Sequence, residues 1–432
     1  MTAFDATLSP LRPDDGPIDA TRWPDVAHAP STLRARLARP VAERIFLRAV
    51  DRMPIRVLLP DGHAVGGGAA TLGAPTMVVH DAERLLRRLG DSGLIGFGES
   101  YCAGEWDSPD LAPLIAAFAD AIDELVPAPL ARLRAAYLAR QPHTDRQTTD
   151  NSRSNVERHY DLSNEMFALF LDETMSYSAA LFDPPPTYDA HTHPQPLAEA
   201  QRAKIDRLLD QAGVGEGTRV LEIGSGWGEL ALRAAQRGAH VDTITLSSEQ
   251  LDLTRDKVRD GGVGDRVEAR LLDYREVTGS YDAVVSVEMI EAVGLDFLDT
   301  YFATIQRVLR PGGRAAIQAI TMPHHRVDLT RGGYTWIHKY IFPGGALASR
   351  ELLLEEAGRA GLSTVDTLSM GSSYALTLRQ WRQEFDEQRD ALCELGFDHT
   401  FQRMWRFYLG YSEGGFRSGY LDVHQLTFEA GA

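Results

Sequence analysis

Between residues 219 and 322 short apolar runs alternate with amphipathic ones, and no other stretch constrains the fold as strongly. RVLEIGSGWG reads as a strand entering a glycine turn, and ELALRAAQRG as a helix ending on Gly238. HVDTITL reads as a second strand, after which Ser247 and Gln250 stand at capping-box spacing to open a helix. RVEARLLDY and YDAVVSVEM read as the third and fourth strands. Residues 297–310 read as a helix stopped by Pro311-Gly312-Gly313, and RAAIQAITM as the fifth strand. Apolar strands alternating with amphipathic helices imply an α/β fold, with a parallel sheet covered on both faces. In such folds ligands bind at the carboxyl ends of the strands.

The N-terminal part has a different texture. Residues 1–30 carry five prolines and no periodicity, and read as a flexible arm. In the arginine-rich stretch 31–53, Pro40 suits the first turn of a helix better than its interior. After it, Val41, Ile45 and Ala49 form one row, and Arg44, Arg48 and Arg52 another. That basic row is either a solvated helix face or a contact with phospholipid head groups. IRVLLPDGHAVGG and TMVVHD supply strand candidates, and 81–89 and 110–138 helices. The polar, turn-rich stretch 139–156 marks a boundary. This gives an arm over 1–30, a small α+β domain over 31–145 and an α/β domain over 146–432.

The chain has 432 residues, enough for two or three domains at about 100–200 residues each. Its net charge of −17 argues against nucleic-acid binding, which needs cations against phosphate. No apolar run approaches the roughly 18 residues of a membrane span, and the opening MTAFDATLSPLRPDDG does not read as a secretory signal. Two cysteines exclude a disulfide scaffold and a cysteine-rich zinc site. No metal pattern can be completed around His324-His325, which reads as a loop. The expected location is the cytoplasm, peripheral at the inner face of the membrane.

Glu222-Ile223-Gly224-Ser225-Gly226-Trp227-Gly228 lies where the first strand meets its helix. Its G-x-G-x-G spacing, the acidic residue before it, and Asp273-Tyr274 after the third strand suit S-adenosylmethionine better than a nicotinamide. The chain also resembles the cyclopropane-fatty-acyl-phospholipid synthases through NVERHYDLSNEMFALFLDETMSYS, VLEIGSGWGELA, TLSSEQ, LLDYREV, VVSVEMIEAVG, WIHKYIFPGG and FRSGYLDVHQLTF. In the N-terminal half LIGFGESYCAGEWDSPDL matches. Within the family, GFGESYCAGEW, SVEMIEAVG and AIQAITMPHHR look most like the branch making tuberculostearic-acid precursors.

The resemblance implies a Rossmann-like class I methyltransferase domain behind a smaller α+β lipid-synthase domain. Cofactor contacts would come from Tyr177, Ser178, Glu222, Gly224, Gly226, Thr245, Leu246, Gln250, Asp273 and Tyr274. An isolated alkene would attack the sulfonium methyl and leave a carbocation, so the site must exclude water and then remove a proton. Proton loss from the new methyl closes a cyclopropane; loss after a hydride shift gives an exocyclic methylene. Tyr334, Trp336, Tyr340 and Phe342 would line the cation pocket.

In the cyclopropane synthases the base is a bicarbonate held by a cysteine, a glutamate, a histidine and a tyrosine. Here Ala179 stands for the cysteine and Gln318 for the histidine, Ala292 replaces a further histidine, and Ser412 another cysteine. Glu291 and Tyr374 remain, with Glu291 the favoured base or base-holder and Glu288 a structural residue. Gln318 still donates and accepts hydrogen bonds, so bicarbonate stays open as a second cofactor. The departures favour C-methylation of an oleoyl phospholipid to a 10-methylene chain over ring closure. A separate flavin-dependent reductase would then complete the 10-methyl product, and a homodimer is left open. The alternatives are a cyclopropane synthase and, from another class, a non-catalytic lipid carrier or sensor.

Overall fold

The computed structural model of the chain describes residues 16–122 and 163–431. The expected boundary at 139–156, the arm before residue 16, the 110–138 helix beyond residue 122 and the NVERHYDL motif lie outside the described residues. The contacts divide the chain into two units. One takes residues up to 140 with 333–341 and 385–420; the other takes 141–332, 342–384 and 421–432. A single cut at 145 therefore misassigns two later segments.

The first unit holds a small sheet of β1 (Arg56–Leu58), β2 (Ala64–Val65), β3 (Thr76–Val79) and β4 (Trp106–Asp107), in the order β2-β1-β3-β4. Helix His399–Arg417 returns to this unit because nearly all its length is buried, packed on helices Leu94–Cys102 and Leu111–Asp120. Phe407 meets the ring of Tyr101 at 5.1 Å. Buried Arg403 donates to the Tyr101 carbonyl at 2.8 Å and to Asp107 at 3.0 Å.

Three expectations for this unit change. The arm is anchored at its far end, where fully buried Arg88 donates to the carbonyls of Asp25 and Val26. Pro40 lies inside helix Leu33–Arg52, whose start is set instead by Thr32, its hydroxyl accepting from the Ala35 amide. Val41 lies in one helical row with half-buried Ile45 and Ala49 but is exposed, as are Leu33 and Leu37 at the same four-residue spacing.

The second unit is built on a seven-stranded sheet. The five expected strands appear as β5 (Arg219–Ile223), β6 (His240–Thr245), β7 (Val267–Leu271), β8 (Tyr281–Val287) and β9 (Leu309–Thr321). All run parallel, in the order β9-β8-β5-β6-β7. Alternate residues cover the two faces. Leu221, Ile223, Val284 and Ile317 pack toward helices Leu298–Val308 and Arg350–Arg359, while Val220, Val241, Val285 and Ala316 pack with residues of helices Leu197–Gln211 and Glu229–Gln236. Two strands escaped the sequence reading: β10 (Leu362–Ser369) and β11 (Asp422–Ala430) extend the sheet antiparallel, with β11 between β9 and β10. The His324-His325 stretch, expected as a loop, opens helix His324–Thr330 directly after Pro323, with His324 bonded to Ser349 at 2.7 Å.

Candidate active site

The chain order places β6 and β7 on one side of β5, and β8 and β9 on the other. Such a reversal opens a crevice beyond the strand ends. A cavity lies there, and all ten residues expected at the cofactor line it: Tyr177, Ser178, Glu222, Gly224, Gly226, Thr245, Leu246, Gln250, Asp273 and Tyr274. Gly224 and Gly226 have φ of 94° and 51°, a region costly for residues with a Cβ. A Cβ on Gly226 would meet nothing within 4 Å, so the missing side chain leaves open space for a ligand.

The walls are held from several directions. Tyr177 stacks on Trp381 with ring centroids 5.3 Å apart and meets Phe167 edge-on. Thr245 donates to Gln250 Oε1 at 2.9 Å, and the Gln250 amide nitrogen has no hydrogen bond among the described residues. Asp273 is engaged by the guanidinium and backbone N–H of Arg275, which hold its carboxyl below the usual range against the opposing effect of burial. Glu222 is pushed up to about 8 by burial, while Thr243 donates to it at 2.5 Å. The open glycine turn, the unengaged amide and the polar groups at four strand ends fit a nucleoside with an amino-acid tail.

A second cluster adjoins this cavity: Ala179, Gln318 and Tyr374, which the resemblance grouped with Glu291, surround Glu288 instead. Glu288 lines the cavity directly after β8, with φ of 49°. Its Oε1 accepts from the Ala179 amide at 2.9 Å and Gln318 Nε2 at 2.7 Å, and its Oε2 from the Tyr374 hydroxyl at 2.7 Å. The β8–β9 register pairs Val287 with Gln318, which brings that glutamine beside Glu288. Helix Gly371–Glu387 contributes Tyr374, while Ser373 and Thr377 accept from the amides of Phe182 and Ala180 and so fix the Ala179 segment. Burial raises the Glu288 pKa; the three donors and the charge of Lys204 oppose that rise. Lys204 is itself buried, lowered to about 8 by desolvation, and donates to Ser178 Oγ at 2.5 Å.

Glu291, the favoured base on sequence grounds, does not line the cavity. It lies in a single 3₁₀ turn, where its Oε1 accepts from the Ile320 amide at 2.5 Å and its Oε2 is buried without a hydrogen bond among the described residues. Burial, reinforced by the Glu288 charge, raises it to about 8. Glu288 and Glu291 therefore do not share a helix face: the chain turns between them. Tyr334, Trp336 and Tyr340 also depart from expectation. They belong to the first unit, where Trp336 packs on Phe407 at 4.8 Å and Tyr340 donates to Glu99 at 2.9 Å. Phe342 belongs to the second unit and is not in the cavity wall. Arg44, Arg48 and Arg52 are exposed.

A doubly wound sheet with a G-x-G-x-G turn at its switch point and an acidic-aromatic pair after β7, all at one cavity, is the arrangement of the class I S-adenosylmethionine-dependent methyltransferases. Residues 147–426 match the family described as mycolic acid cyclopropane synthetase, and the chain belongs to that family. It is 52% identical over 415 residues to tuberculostearic acid methyltransferase UfaA1 of Mycobacterium tuberculosis, covering 95% of this chain and 96% of that protein. It is 30% identical to the cyclopropane-fatty-acyl-phospholipid synthase of Escherichia coli K12, over 80% of this chain and 85% of the other. Among solved structures, mycolic acid cyclopropane synthase CmaA1 complexed with SAH and CTAB superposes with a TM-score of 0.58 at 29% identity, covering 67% of this chain and 99% of that one. The protein is an S-adenosylmethionine-dependent methyltransferase.

Proposed function

We propose that this enzyme methylates the double bond of an oleoyl chain in an intact phospholipid and releases a 10-methylene acyl chain. The observation that carries this reading is the juxtaposition of the cofactor cavity with a buried carboxylate held by Tyr374, Gln318 and the Ala179 amide. When bound, S-adenosylmethionine supplies an electrophilic methyl group. Gly224, Gly226 and Gln250 would hold it, with Tyr177 closing one wall. The protein then has to align the alkene, keep water from the cation and accept one proton. Ala179 and Gln318, in place of a thiol and an imidazole, leave carboxylates as the acceptors of the site.

The methylene product needs a hydride shift before proton loss, and in both routes the departing proton comes from the transferred methyl carbon. A separate flavin-dependent reductase would reduce the methylene group. The site would meet its lipid with the protein peripheral at the inner face of the membrane, Arg44, Arg48 and Arg52 facing head groups. Bicarbonate is a second cofactor only if an anion can enter beside Glu288. Lipid extracts from an oleate-producing host expressing the enzyme should contain an acyl chain heavier by one CH₂. Ozonolysis should then yield the ketone of an exocyclic methylene. A chain that resists ozone would establish the ring-closing reading, and unchanged lipids would establish a carrier.

A further inference from the structure

The proposed reaction requires a group that takes the proton, and among the described residues the cavity wall offers four carboxylates: Glu222, Glu229, Asp273 and Glu288. Two are already neutralised by cations. Glu229 pairs with Lys257 at 2.7 Å, and Asp273 with Arg275. Glu222 is buried, where desolvation raises its pKa to about 8, and it already accepts from Thr243. Glu288 alone is held by three neutral donors, two on one oxygen and one on the other. Such donors position a carboxylate with no salt bridge to it among the described residues, and burial raises its pKa against them and the Lys204 charge. The backbone supports the same conclusion, because Glu288 takes φ of 49°, an uncommon conformation for a residue with a Cβ.

Resting on that reading of the reaction, we infer that Glu288 is the base, a built-in carboxylate occupying an anion site formed by Ala179, Gln318 and Tyr374. The alkene π pair forms a bond to the methyl carbon, and the S–CH₃ bond breaks with its pair left on sulfur. The adjacent chain carbon becomes cationic, and a 1,2-hydride shift moves the cation to the carbon bearing the new methyl. A methyl C–H bond then gives its pair to the new C=CH₂ bond, and its proton goes to the Glu288 carboxylate. No external anion takes part.

The test uses the full chain with vesicles containing dioleoylphosphatidylglycerol. Glu288→Gln should lose about 10²–10⁴-fold in rate while S-adenosylmethionine affinity, read by calorimetry, stays near wild type. A purely structural role could also lower that rate, so Glu288→Gly supplies the discriminating measurement. Glycine accepts the positive φ and leaves three donors around a carboxylate-sized space. Formate or bicarbonate should bind this variant in calorimetry without lipid, and restore methylation with saturating dependence. Wild type should do neither. A Gln variant within a few-fold of wild type, or a Gly variant that neither binds nor responds to the anions, would overturn the assignment. Wild-type enzyme that left the lipid unmethylated would instead overturn the reaction on which the assignment rests, and the assignment with it.

Discussion

At the residue scale, Glu291 shows how burial recasts a group that looked chemically active. Its pKa of about 8 means the folded state keeps a proton that the unfolded chain has lost above about 4.5. Folded protein therefore binds more protons between those values, and this residue's contribution to stability falls as pH rises through that window. Glu291→Gln removes the contribution. Urea unfolding from about pH 5 to 7.5 should show the variant losing at least about 1 kcal/mol less stability than wild type. Equal slopes would show that Glu291 ionises normally in the folded protein. Gly226 carries a simpler expectation. Valine there would combine a strained φ of 51° with a branched side chain in the cavity. Calorimetry should show S-adenosylmethionine binding weakened by at least about tenfold, with far-UV circular dichroism unchanged. The glycine spacing was legible in the sequence because backbone geometry there is local. The role of Glu288 was not, because its three donors lie 109, 30 and 86 residues away.

At the element scale, β11 sets the polarity of the site. Its register pairs Gln425 with Gln318. Arg207 donates to Gln425 Oε1 at 2.7 Å, so the Gln425 amide nitrogen must donate onward to Gln318 Oε1, at 3.1 Å. Gln318 is thereby turned so that its own nitrogen faces Glu288. Gln425→Leu removes this orientation and lets Gln318 present oxygen to the carboxylate. Turnover should fall by about tenfold, the cost of one charge-assisted hydrogen bond, with S-adenosylmethionine affinity retained. Full activity would mean that Gln318 is oriented without β11. Nothing in DVHQLTFEA announces this duty. Its residues are buried almost throughout, so it lacks the one-sided alternation by which strands are recognised in sequence. β10 has the opposite weakness: its residues are mostly exposed, which leaves little hydrophobic pattern to read.

At the scale of the whole molecule, charge and surface are unevenly shared. A chain with net charge −17 exposes Arg44, Arg48 and Arg52 along helix Leu33–Arg52, together with exposed Leu33, Leu37 and Val41. Changing the three arginines to glutamine should weaken binding to anionic vesicles by about 1 kcal/mol per charge at low salt, measured by cosedimentation. Unchanged binding would make the row a solvated face. Methylation of detergent-dispersed lipid should persist, which separates docking from chemistry.

The sequence by itself determined the parallel core of the second unit and the cofactor turn, and its resemblance to the synthases supplied ten of the residues that line the cavity. The core and the turn depend on hydrophobic period and on glycine geometry, both written within a few consecutive residues. Tertiary structure decided which carboxylate faces the cavity, how Gln318 is turned, and that residues 333–341 and 385–420 belong with the N-terminal unit. Trp336 illustrates the difference: its aromatic character suited a cation pocket, yet it is buried against Phe407, 71 residues along the chain. These outcomes follow from burial and hydrogen-bond satisfaction summed over distant segments. A buried polar or aromatic side chain takes whichever partner the assembled core provides.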